Sequence, residues 1–305
     1  MGRYALVPVL ALALLAARSA GAATAAPANG FKLLGSGSAG GTIWQGSIPG
    51  GLQPSLVYLP PGYSTSVRYP VVYLLHGMPG DPTEYADSLD LADLADELIE
   101  DGSARPFIAV LPAAGPDPHY DGEWAGPWER YLVTRVVPWT DAHLSTLATR
   151  RDRALAGLSA GGFGAVDIGL RNPTVFGTLE SWSGYFEPFH DGPFAHASRS
   201  ALEWNTPTIV VKRRAAELRA LGTRFFLSTG PGHGKIHAAA TLAFDREVAG
   251  LGLTQRYVSY PRKRGMYEAQ LAAGLVYAWG ASVPTSRREA HQFTSAPITI
   301  TFAIT

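Results

Sequence analysis

The stretch Ala154-Leu155-Ala156-Gly157-Leu158-Ser159-Ala160-Gly161-Gly162-Phe163-Gly164 decides how this chain is read. Residues 154–158 form a short run without charge or polarity, the pattern of a strand buried on both faces. The residues after Ser159 are small and compatible with the start of a helix. Between the two, Gly157-Leu158-Ser159-Ala160-Gly161 matches G-x-S-x-G. Five letters of this kind are common by chance, and it is the strand before and the helix after that give them meaning. A serine on so sharp a turn stands clear of the sheet end, and only small neighbours let strand and helix approach that closely. The helix start directs its positive end at the serine, and the Ala160 amide is placed to donate to a developing oxyanion. The plain alternative is a Gly-rich packing turn that carries an ordinary serine.

Toward the N-terminus, 71–75 is a second apolar run, ending in the turn His76-Gly77-Met78-Pro79-Gly80. That turn is the expected source of a second oxyanion donor, the Met78 amide. Its histidine is expected to shape the turn or contact substrate, since such a turn supplies main-chain donors rather than proton transfer. Residues 42–48 and 55–59 suggest an initial antiparallel pair, and 89–100 a helix with Leu91, Leu94, Ala95 and Leu98 on one face. Further strands are expected at 107–111, 178–183, 224–228 and 255–260. Helices are expected at 130–144, where Pro138 should kink or divide the rod, and at 236–250 and 266–279. Alternating strands and helices specify a mostly parallel sheet covered on both faces, an α/β fold. Residues 184–207 lack clean periodicity and read as an insertion over the strand ends. The end of the chain, 298–304, alternates as a strand would.

Composition sets the outer limits. The 305 residues are 46% apolar and 16% charged with zero formal net charge, so the balance favours neither nucleic acid nor an anionic membrane surface. There is no cysteine, which excludes disulfides, thiolate metal sites and a cysteine nucleophile. Arg3, the apolar stretch 4–17 and the small residues around Ala22 and Ala25 read as a secretory signal over 1–26. An uncleaved anchor helix is the alternative; with the signal removed, no stable membrane span is expected. One domain then covers 27–283 and a tail of unassigned role 284–305, with secreted or cell-envelope localisation.

The segments Val57-Tyr58-Leu59-Pro60-Pro61-Gly62-Tyr63, Tyr73-Leu74-Leu75-His76-Gly77, residues 153–164, Asn172-Pro173 through Phe176, Ser181 and Ser183-Gly184-Tyr185-Phe186 follow one another in a telling order. Together they make 50–280 resemble the family of esterase D, feruloyl esterases and mycobacterial mycolyltransferases. The resemblance implies an α/β-hydrolase fold, no metal or other cofactor, and ester hydrolysis or acyl transfer through an acyl-serine. Ser159 and the Met78 and Ala160 amides carry over directly.

The rest of the triad does not carry over. The family keeps an acid after the strand equivalent to 224–228, where this chain reads Thr229-Gly230-Pro231-Gly232-His233-Gly234-Lys235. It keeps the histidine after the strand equivalent to 255–260, where this chain reads Pro261-Arg262-Lys263-Arg264-Gly265-Met266-Tyr267. A serine without a base is a weak nucleophile. His233 is the leading candidate base, with Glu268 as its acid and Asp191 second; a surface loop residue is the alternative for His233. His291, His190 or His196 folding back over the serine is another solution. A degenerate site that binds a glycolipid or glycan without turnover is a third, and a structural envelope protein anchored by its N-terminus a weaker one. His233 and His237 form H-x-x-x-H, but with no clear third ligand a metal is not expected. His76, Trp124 and Tyr185 are the candidate substrate contacts, among loop aromatics that include Trp128, Phe186, Phe189 and Phe194. Arg262, Lys263 and Arg264 read as a solvated charge run or, less simply, an anion site. The partner expected is a small-molecule or lipid or glycan ester; oligomeric state is open.

Overall fold

The computed structural model describes residues 25–120, 122–231 and 234–280. The expected signal (1–24 of it), the tail from 281 onward with His291 and the 298–304 alternation, and His233 all lie outside the described residues.

Nine strands form one sheet: β1 (Lys32–Ser36), β2 (Thr42–Gly46), β3 (Ser55–Leu59), β4 (Val71–Leu75), β5 (Ile108–Leu111), β6 (Arg153–Leu158), β7 (Thr178–Trp182), β8 (Arg224–Thr229) and β9 (Thr254–Ser259). Their spatial order is β1-β2-β3-β5-β4-β6-β7-β8-β9. The pairs from β1 to β5 by way of β2 and β3 are antiparallel, and every pair from β5 through β4 to β9 is parallel. The parallel half puts all its C-terminal strand ends on one edge, where an open α/β sheet carries its ligand.

The unbroken apolar runs are explained by cover on both faces. Tyr73, Leu75, Leu155 and Leu179 face one core, with helices α3 (Val137–His143), α4 (Ala160–Arg171), α6 (Pro207–Ala220) and α7 (Gly234–Gly250) over it. Val72, Leu74, Ala154 and Ala156 face the other, under α1 (Leu91–Glu100) and α8 (Met266–Trp279). Successive strand residues point to opposite sides, so the runs that cross both cores are mostly apolar. The rod that holds Pro138 stays helical throughout: α2 (Pro127–Tyr131) passes into a wider π-type stretch at Leu132–Val136 and then into α3, with Pro138 among the first residues of α3. The insertion is largely irregular and holds a short helix, α5 (Arg199–Trp204), capped by the Ser198 side chain. Among the elements not anticipated are β1, whose five residues are all exposed, and α6. Among the described residues no helix is long and apolar enough to cross a membrane.

Candidate active site

Ser159 lies between the end of β6 and the first residue of α4, at φ 56° and ψ −117°, a backbone region a non-glycine residue occupies only under constraint. The constraint is local. The Ser159 amide donates to Trp182 O (2.9 Å), and the Phe163 amide donates back to Ser159 O (3.1 Å). A Cβ on Gly161 would run into the Leu75 carbonyl, and one on Gly157 would meet that same carbonyl at 2.7 Å. Glycine is required at both points because helix and two strands meet backbone to backbone. The serine itself is half-buried and reachable, not sealed in the core.

The turn after β4 is packed against this bend. A Cβ on Gly77 would stand 3.5 Å from Ser159 Cβ and 3.4 Å from Leu158 O, so the main chain leading to Met78 runs alongside the serine. His76 is closed off from solvent, 1% exposed. Its Nδ1 donates to Gly77 O (2.8 Å) and its Nε2 accepts from the Ala114 amide (3.1 Å). One ring nitrogen gives and the other receives, which fixes a neutral tautomer, and burial pushes its pKa down. The ring has no nitrogen left for proton transfer. Trp124 is likewise fully buried, with its indole N–H donating to His76 O (3.0 Å). Of the three side chains expected at substrate, these two therefore stand behind the turn in this conformation. Tyr185 differs in its surroundings: it forms an apolar patch with Ala125, Ala160, Phe163 and Phe194, against which Met78 packs. Its ring stacks on Phe163 at 4.9 Å and lies 4.4 Å from Phe189, which is exposed.

On the far side of the serine the strand ends are tied by polar bonds. The Ser183 amide donates to Ser228 O (2.7 Å), and buried Gln270 donates to the hydroxyls of Ser183 (3.0 Å) and Ser228 (3.1 Å). The loop after β9 is open: residues 261–265 are all exposed, and Glu268 is exposed in the first turn of α8, with no hydrogen bond or ion pair to the described residues. His190, Asp191 and His196 are exposed on the insertion. His237, half-buried on α7, packs 5.7 Å from the Tyr185 ring, and burial lowers its pKa. Among the described residues no three His, Asp or Glu side chains gather as metal ligands would.

One acidic residue escaped the sequence reading. Glu123, in the loop between β5 and α2, is 2% exposed and accepts from the Tyr185 hydroxyl at 2.5 Å. Nothing in a lone Glu within a loop signals a partner 62 residues away.

The model of the family described as putative esterase matches residues 51–277. The chain belongs to that esterase family. Its match to an endo-1,4-β-xylanase/feruloyl esterase of Xylanibacter ruminicola is 36% identical over 152 residues, 47% of this chain and 21% of that protein. Its match to an esterase of Mycobacterium tuberculosis is 36% identical over 135 residues, 42% of this chain and 28% of that protein. The matched stretch thus spans roughly a quarter or less of these curated relatives. Among solved structures, a ferulic acid esterase aligns with TM-score 0.65 at 23% identity, covering 82% of this chain and 96% of that one. An S-formylglutathione hydrolase from Agrobacterium tumefaciens aligns with TM-score 0.61 at 16% identity, covering 80% and 96%. At these identities the structures speak for the fold: this esterase-family chain has the α/β-hydrolase architecture.

Proposed function

We propose that this chain is an exported serine esterase or acyltransferase acting on carboxylic esters through an acyl-serine intermediate. The observation that carries the reading is Ser159 itself: a reachable hydroxyl at positive φ on a strand-to-helix turn, with the Gly77-Met78 main chain against it. Ser159 Oγ attacks the ester carbonyl while the Met78 and Ala160 amides hold the oxyanion. The alcohol leaves, and water or a second alcohol then takes the acyl group and restores the serine. His233 accepts the Ser159 proton and returns it to the leaving oxygen, and Glu268 orients the imidazole. Tyr185 contacts the substrate, while His76 and Trp124 support the oxyanion turn from behind. An aromatic acyl group, as the feruloyl esterase relatives' names suggest, suits the Tyr185 and Phe189 rings.

Turnover of short-chain p-nitrophenyl esters tests this. The wild type hydrolyses them and is labelled by a fluorophosphonate; Ser159→Ala loses the label and at least ~10³-fold in kcat. Turnover that survives Ser159→Ala sinks the mechanism. A second reading, a catalytically silent fold that binds a glycolipid or glycan, draws on the exposed 261–265 loop, which has no imidazole where the family keeps one. An inert wild type that neither turns over nor labels decides for it.

A further inference from the structure

Glu123 and Trp124 are consecutive non-glycine residues at φ 42° and 57°, two of the five such residues among those described; a third is Ser159. Left-handed backbone at ordinary residues is unfavourable and persists only where surrounding contacts hold it. Those contacts reach three separate parts of the site. The Trp124 indole donates to His76 O, on the oxyanion turn. Its Cβ fills the space over Gly164, where a glycine Cβ would stand at 2.5 Å, so the same residue presses on α4 one turn after Ser159. Glu123 points the other way: its Oε1 accepts from Tyr185 and is approached by the Phe189 amide at 3.5 Å, both on the insertion.

We propose that the Glu123-Trp124 corner is a positioning clamp with two separable jaws, neither of which touches substrate. The Trp124 jaw sets the oxyanion turn against the nucleophile helix, and so the spacing of the Met78 and Ala160 amides. The Glu123 jaw holds the Tyr185 and Phe189 wall of the binding cleft. One side chain of the corner grips the sheet end and the other grips the insertion. This inference rests on the reading of Ser159 as nucleophile for its kinetic consequences, but not for its structural ones.

The two jaws have different signatures. Misplacing an oxyanion donor weakens transition-state stabilisation, so Trp124→Phe, which keeps an aromatic ring but removes the N–H and part of the indole, lowers kcat on the order of tenfold with KM little changed. Loosening a wall removes binding shared by ground and transition states, so Glu123→Gln raises KM roughly threefold to tenfold with kcat nearly constant. Tyr185→Phe raises KM at least as much, and the double variant is no worse than Tyr185→Phe alone, because the two side chains act as one pair. Hydrogen exchange supplies the readout independent of chemistry: Trp124→Phe speeds exchange in residues 74–80, and Glu123→Gln speeds it in 184–190 and not in 74–80. Equal loosening of both segments by either variant, or of neither, overturns the clamp. If the wild type proves inert toward esters and fluorophosphonate, the nucleophile reading falls and the exchange pattern alone judges the clamp.

Discussion

On one side of Ser159, the turn after β4 and the start of α4 are pressed together through glycines and buried rings. On the other, residues 261–265, after β9, lie open to solvent. On the proposed mechanism the first side supplies main-chain amides, and its geometry follows from packing of the sheet core. The second would have to supply side-chain proton transfer, and residues 261–267 there carry no histidine. Oxyanion stabilisation is a property of the fold and survives changes of side chain, whereas acid–base chemistry depends on single residues carried by loops. A chain can therefore keep the first half of the site intact while rearranging the second.

The comparison is sharpened most by His233→Ala. If the open side carries the base, this variant loses nearly as much turnover as Ser159→Ala, at least ~10³-fold, since residues that act as a unit are not additive. Full activity in a p-nitrophenyl ester assay would assign the base elsewhere. Gly161→Ala probes the packed side. Its new methyl meets the Leu75 carbonyl, a main-chain atom that cannot swing away. Such overpacking costs ~1–3 kcal/mol or more, read as a lower urea midpoint, with activity falling in the fraction that remains folded.

Glu180 tests the layer beneath the site. It is fully buried on β7, with one carboxylate oxygen accepting from the Trp182 indole N–H at 3.1 Å. Burial pushes its pKa up to about 8 against the ordinary 4.5, with Trp182 and Arg224 opposing. The folded state thus holds this proton more tightly than the unfolded chain. Its contribution to stability is complete below about 4.5 and is lost as the pH rises through about 8. Glu180→Gln, which keeps the shape without the titration, flattens the fall of Tm across that window; an unchanged slope excludes Glu180 as its source. Smallest is Glu268→Gln. If it is the acid of His233, an exposed carboxylate screened by water orients the imidazole only weakly, and its loss costs up to ~1 kcal/mol in kcat/KM, about fivefold or less. A loss matching that of His233→Ala would show a buried partnership absent from this conformation.

Which parts of the molecule were legible follows the same division. Strands β4 and β6 and the Ser159 bend announce themselves because burial on both faces demands an unbroken apolar run, and a tight bend demands small residues. Strand β1 gives no such sign: its residues are exposed, and the hairpin it forms with β2 is held partly by distant Asp96, which accepts from the Ala39 and Gly41 amides and the Tyr58 hydroxyl. Helix α6 escapes for a related reason, since its buried positions Val210, Val211, Ala215 and Leu218 are too few among charges to mark a face. His76 and Trp124, which as loop residues beside the strand ends suggest substrate contact, turn inward because their polar atoms bond one another and the Gly77 and Ala114 main chain.

The amino-acid order by itself determined the parallel half of the sheet and the serine on its bend. These are consequences of local periodicity and residue size, which a linear string records. Only the tertiary structure decided that a positive-φ Glu123-Trp124 corner joins the turn after β4, helix α4 and the insertion. Pairings across dozens of residues depend on which surfaces the folded sheet brings together, and no local pattern encodes that.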